Sequence, residues 1–255
     1  MASAESFFRD IKRDPGRYYI IHYSSETLFD PDAEKAPSPR ITSIVVRHYQ
    51  SGQTLSFATH TAAETLGIAL DQIEARFDEV EKEMLTQFYK FVRDRRERLW
   101  VHWNMRAITF GFEHLEHRYR VLTHDEPPSI PVEVRLNLND ILKARYGQDY
   151  APDPRMSSLM NLNGGLVQGF MAGKDESEAF KAKDYIRMHA STIAKVTFFA
   201  HVISLALKGK LKTAGNGIVN LIDRLLESRK ARVTVTACTA LGGAVALVQG
   251  WKWIF

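Results

Sequence analysis

Twenty residues, WVHWNMRAITFGFEHLEHRY from Trp100 to Tyr119, hold three histidines, an asparagine and two glutamates among aromatic side chains. Imidazoles and carboxylates gathered this closely are raw material for acid–base or metal chemistry. A zinc site asks for an i,i+4 pair or a distant third ligand. His114 and His117 stand instead at i,i+3 with Glu113 and Glu116 beside them, which reads as a charged helix face, and His102 lies well upstream. A second group sits in YIIHYSSETLFD, residues 19–30, where Ser24, Glu26 and Thr27 follow an apolar, β-branched run. Asp184, in EAFKAKDYIRMHAS, is a third candidate. Acids from separate segments matter because divalent ions held a few ångströms apart need clustered carboxylates to balance their charge. Cys238 is the single cysteine, so no intrachain disulfide forms, and no base is predicted near its thiol. NLNGG, Asn161–Gly165, lacks the lysine that follows a phosphate loop and reads as a turn.

These residues need elements to carry them. Residues 17–22 (RYYIIH), 41–47 (ITSIVVR) and 54–59 (TLSFAT) read as strands, with a Pro-rich loop at 31–40 and a hairpin turn at Ser51–Gly52. Leu70, Ile73, Phe77, Val80, Met84, Phe88 and Phe91 recur at helical spacing and predict one amphipathic helix, whose charged end is RDRRER at 93–98. Leu99–Val101 predicts a fourth strand, reached through a helical crossover and so parallel in the sheet. A helix is expected over 109–119. Val132, Val134, Leu136 and Leu138 alternate with polar residues and predict a fifth strand or extended segment. A short helix over 140–146 closes at Gly147, and residues 177–207 and 218–226 read as helical. FFAHVISLAL, 198–207, is too short to span a bilayer and reads as a core helix. The order predicts an α/β fold, a mixed sheet with helices on its faces.

That order is also the order of the ribonuclease H-like fold, and the local sequences add to the likeness. YIIHYSSETLFD resembles the first motif of DEDD-type 3′–5′ exonucleases, the proofreading-exonuclease family, in which a strand ends in Asp-x-Glu-Thr and the two acids hold divalent metal. Glu26 and Thr27 match, and Ser24 stands where the Asp belongs. WVHWNMRAITFGFEHL resembles the second motif: Asn104 and the Phe110-Gly111-Phe112…Leu115 pattern fit, while the position of the acid falls at Ile108 or Thr109. RLNLNDILKARYGQDYAP resembles the family's helix after the fifth strand, and Asp184 offers the acid of the third motif without its usual aromatic or imidazole base. The resemblance covers residues 17–205. It implies an exonuclease-like domain over 1–207 with a degenerate active site. Ser24, Thr27, His102 and Asn104 are then expected binding residues. Glu26 and Asp184 would be catalytic, and Glu26 would hold Mg²⁺ or Mn²⁺, only if activity survives; otherwise no cofactor is expected. Displaced acids such as Asp30 or Asp32 are the remaining route to activity.

The 255 residues are 45% hydrophobic and 25% charged, ordinary globular values, with no repeat or low-complexity tract. A net charge of +4 permits contact with nucleic acid or an anionic membrane without arguing for either. The N-terminus has no signal-peptide core, which places the body in the cytoplasm. Residues 208–232 read as an amphipathic linker. Residues 233–250 (VTVTACTALGGAVALVQG) carry no charge, with Arg229, Lys230 and Arg232 before them and Trp251, Lys252 and Trp253 after. Those flanks predict a transmembrane anchor over 233–255, with the soluble domain on the cytoplasmic face; the alternative, favoured by its threonines and glycines, is a small-residue helix buried in the core of a soluble cytoplasmic protein. Small residues such as Ala240, Gly243 and Ala244 could support self-association there. Two functions are therefore expected. One is a membrane-tethered, inactive exonuclease-like sensor or effector binding nucleic acid, a nucleotide or a protein. The other is a divergent metal-dependent 3′–5′ exonuclease acting on single-stranded ends. A structural subunit whose tail docks into a partner is a third option.

Overall fold

Runs rich in β-branched and aromatic residues form the strands, and neighbouring residues in each run serve opposite faces. The computed structural model describes residues 4–26, 38–107 and 110–214. A helix, Ala4–Arg13 (α1), leads into Tyr18–Ser25 (β1), which pairs antiparallel with Ile41–His48 (β2); β2 in turn pairs antiparallel with Thr54–Ala58 (β3). Gly52 turns this hairpin at φ 72°, a conformation a Cβ disfavours. Thr59–Thr65 (α2) and Phe77–Arg93 (α3) follow, and Leu99–His102 (β4) returns parallel to β1. A small ribbon of Arg106–Ala107 (β5) and Phe110–Gly111 (β6) precedes Phe112–Thr123 (α4). Arg135–Asn137 (β7) then joins β4 in parallel. The sheet order is β3-β2-β1-β4-β7. Leu138–Tyr146 (α5), Arg155–Leu162 (α6), Gly173–Lys181 (α7) and Tyr185–Leu207 (α8) complete the described chain.

Both sheet faces are covered, so the strands read as nearly continuous apolar runs rather than alternating ones. Ile21, Tyr23, Ile44 and Trp100 point to a core closed by α3 and α4. Ile20, Val45 and Val101 point the other way, to a core closed by α1, α5 and α8. Among the described residues α8 is the one helix long and apolar enough to cross a membrane, yet 56% of its apolar window is buried inside the fold. It lies against β1 and β2.

Several expectations change. The predicted helix from Leu70 begins instead as a single 3₁₀ turn, Leu70–Gln72, and Leu70 is exposed; the α-helix starts at Phe77. Of residues 132–138 only Arg135–Asn137 pairs in the sheet, and Val132 is exposed on a 3₁₀ turn. The helical run 177–207 breaks between α7 and α8, where Lys183 adopts φ 60° and Asp184 caps α8. The helix expected over 109–119 starts at Phe112. The linker beyond Ala214, the helix expected over 218–226 and the anchor over 233–255 lie outside the described residues.

A buried ion pair locks α3, α4 and β2 together. Arg118 on α4 gives Nε to Glu81 Oε1 at 2.9 Å and Nη2 to the other oxygen. The Ile41 amide donates to the same carboxylate at 2.9 Å. Burial pushes the Glu81 carboxyl up against the pull of Arg118. Replacing Arg118 with Met would leave that carboxylate buried with one amide for a partner. Urea unfolding of Arg118→Met at neutral pH should show a loss of about 3–5 kcal/mol; a loss below about 1 kcal/mol, the range of exposed pairs, would refute this role.

Candidate functional site

Tyr18, Ile20, His22 and Ser24 alternate along β1 toward one face, and the last two turn that column from apolar to polar. All four are buried. The elements facing them are α7 and α8. Ser24 Oγ donates to Glu176 Oε1 at 3.0 Å and lies 2.7 Å from Thr192 Oγ1. Ser191 Oγ donates to the same Glu176 oxygen at 2.9 Å and itself accepts from the Met171 amide at 3.1 Å. Lys195 Nζ stands 2.7 Å from Glu176 Oε1. One carboxylate oxygen thus gathers two hydroxyls and an ammonium. Its twin, Oε2, is buried with no hydrogen-bond partner among the described residues, as is His22 Nδ1.

Burial lowers the Lys195 ammonium pKa, and the Glu176 carboxylate opposes that shift. An isolated charge here would cost far more than the pair does, so each group holds the other in the interior. His22 sits between the Phe110 and Phe199 rings, at 5.7 and 5.5 Å. Desolvation, with Lys195 and His102 adding repulsion, takes its pKa well below 6.5.

A second polar centre closes the end of β4. Asn104 adopts φ 54°. Its Oδ1 accepts from Asn137 Nδ2 at 3.2 Å and from Asn139 Nδ2 at 3.0 Å, and its amide donates to Asn137 Oδ1 at 3.1 Å. Tyr150 OH donates to Asn139 Oδ1 at 2.6 Å, and Arg106 pairs with Asp140 beside them. His102 Nδ1 accepts from the Met105 amide at 3.2 Å. Burial lowers the His102 pKa to about 3. This knot of amides fixes the strand-to-helix corner.

The expected site residues are not assembled together. Ser24 belongs to the Glu176–Lys195 network, and His102 and Asn104 belong to the amide corner. Glu26 is only half-buried and accepts from the Arg40 amide at 3.3 Å, and no side-chain hydrogen bond among the described residues joins it to either centre. Asp184 accepts from the Arg187 amide at 3.1 Å as the cap of α8; Thr192, two turns further along, is the residue that meets Ser24. Thr27, Asp30, Asp32, Ile108 and Thr109 lie outside the described residues. The reading of His114 as part of a charged helix face is corrected: it is buried, while His117 is exposed. His114 Nε2 lies 2.9 Å from the Pro39 carbonyl, which can only accept, so Nε2 carries the proton and Nδ1 accepts from Tyr23 OH at 3.0 Å. Burial lowers its pKa to about 4.

Sequence reasoning passed over Glu176, Ser191, Thr192 and Lys195. A signal was present. Glu176, Ala179 and Phe180 share one buried stripe of α7, and Lys195 falls four residues after Ser191 inside an apolar run. A carboxylate and an ammonium on apolar stripes invite pairing. The donor set at Ser24 does not fit divalent metal, since it offers one carboxylate already matched by an ammonium. Among the described residues no group of three or more His, Cys, Asp or Glu is placed to hold a metal ion. Comparison with protein-family models, with curated proteins and with solved structures finds no match for this chain.

Two outcomes are expected from these contacts. Lys195→Met should destabilise the fold by about 3–5 kcal/mol, and adding Glu176→Gln should restore much of that loss; additive losses would contradict the pairing. His22, His102 and His114 are held neutral in the fold and gain a proton on unfolding below pH 6.5. Because their folded pKa values are depressed, stability falls as pH drops from 6.5 toward 4, by roughly 1.4 kcal/mol per histidine at pH 5.5. Urea titrations at pH 7.5 and 5.5 check this, and equal stabilities would rule it out.

Proposed function

We propose that the chain is a membrane-tethered, catalytically silent domain of ribonuclease H-like build, similar in scaffold to DEDD-type exonucleases, that binds a nucleic acid, a nucleotide or a protein partner rather than cleaving one. The observation that carries this reading is Ser24. It occupies the place the resemblance gives to a metal-holding acid, and it is buried in hydrogen bonds to Glu176 and Thr192. The positive charge facing the Glu176 carboxylate is the Lys195 ammonium. The mixed sheet, built from three meander strands, a helix, a parallel strand, a helix and a second parallel strand, supports the scaffold part. The tether rests on residues 233–250 and their basic and tryptophan flanks.

The test has two arms. Full-length protein incubated with single-stranded DNA or RNA in Mg²⁺ or Mn²⁺ should leave 3′ ends intact. Metal-dependent shortening that Glu26→Gln abolishes would replace this reading with a divergent exonuclease. In cell fractionation the full-length chain should sediment with membranes, and removing residues 229–255 should release it. A full-length chain recovered entirely in the soluble fraction would end the tether.

A further inference from the structure

Cations collect at one end of the sheet. β1 and β4 are parallel with Tyr18 opposite Leu99, so Arg17 and Arg98 open the same sheet end. α1 leads into it, with the Phe7 ring 5.9 Å from Tyr18, and α3 ends there in the turn that carries Arg93 to Arg98. α8 arrives from the opposite end. Thr192 lies beside Ser24 and Phe199 beside His22, so the helix travels back along β1. From Phe199 to Leu207 it advances about 12 Å, close to the roughly 13 Å from His22 back to Tyr18. Lys208, Lys210 and Lys212 therefore emerge at the level of Arg17 and Arg98.

This end is net positive. Residues 5–17, 90–98 and 208–212, with the loop 124–134 that enters β7 beside β4, carry twelve Lys or Arg against eight Asp or Glu. The rest of the described chain carries sixteen against seventeen. Every cation of that end except Arg95 is exposed. Arg93, Arg98 and the three lysines make no ion pair among the described residues.

We infer that this end is a docking surface for an anionic lipid leaflet, an inference that rests on the tethered reading and adds an orientation to it. Among the described residues the exposed large apolar side chains, Leu70, Val121, Val132, Leu166 and Ile186, include no aromatic, which gives little support to stacking of single-stranded bases. Beyond Ala214 the chain has eighteen residues before Val233, and Arg229, Lys230 and Arg232 come last in them. Cationic side chains thus mark both the domain's end and the approach to the apolar stretch, as anionic headgroups would favour. Docked this way, the domain turns the far end of β4, with the exposed Asn104, toward the cytoplasm, where a partner can reach it.

The experiment is flotation of the full chain at limiting lipid on phosphatidylcholine vesicles with and without phosphatidylserine, at low and high salt. Phosphatidylserine should raise binding about tenfold at low salt and little at high salt. The preference should be lost in a variant carrying Lys208→Glu, Lys210→Glu and Lys212→Glu, and weakened in Arg96→Glu with Arg98→Glu. Equal binding to both vesicles, or a preference that survives both variants, would overturn the inference. So would capture of duplex DNA that these variants abolish without any lipid preference. The tether is read separately, as binding to pure phosphatidylcholine that is lost when 229–255 is removed, so either idea can fail while the other stands.

Discussion

The pairing of Glu176 with Lys195 governs the end of the molecule where β1 meets α7 and α8, because neither charge could remain in that interior without the other. The Glu176 carboxylate is fully buried and its Oε1 takes Lys195, Ser24 and Ser191 at once. This one acceptor fixes the spacing between β1, α7 and α8, and through Thr192 it fixes the rotation of α8 over the strand. A hydrophobic trio of similar volume could pack there with equal or better stability, since buried pairs rarely repay their desolvation. What the pair contributes is register. α8 has apolar residues on most of its surface and could slide along the sheet were it not for a charge that must meet its partner.

The same constraint explains why α8 passes a length-and-hydropathy test for a membrane span while serving as a core helix. A sheet buried on both faces needs a long apolar helix laid along it, and such a helix has the composition of a span. The discriminating residue is Lys195, which finds a carboxylate on α7 rather than lipid. Residues 233–250 have no charged residue of that kind and are flanked by cations and tryptophans instead.

Much of the sheet was legible because strand runs such as ITSIVVR and RYYIIH advertise burial on both faces, and because Gly52 and Gly147 mark sharp turns. Leu70 was misread because helical spacing extended the apolar pattern across a stretch where the chain makes one 3₁₀ turn first. His114 was misread for a different reason. Its sequence neighbours are glutamates, but its partners are Tyr23 and Pro39, far away in the chain. Glu176 carried a signal of its own on a buried stripe of α7, but its pairing with Ser24 could not be read, since the two are separated by 152 residues and only the packing of α7 brings them together. Local pattern gives elements and their faces; polar pairing across the core is settled by tertiary contact.

The two polar centres are held together by different means. Asn104 keeps a left-handed backbone that costs strain for any residue with a side chain, and it is held there by Asn137 and Asn139. That strain is supported by a dense amide network. At Ser24 the balance is different: the negative charge remains as Glu176, and its compensation is covalently part of the chain as Lys195. A carboxylate matched by its own ammonium has no electrostatic demand for a divalent ion. Under the function proposed above, such an end would present a fixed surface while the cation-rich opposite end holds the domain in place.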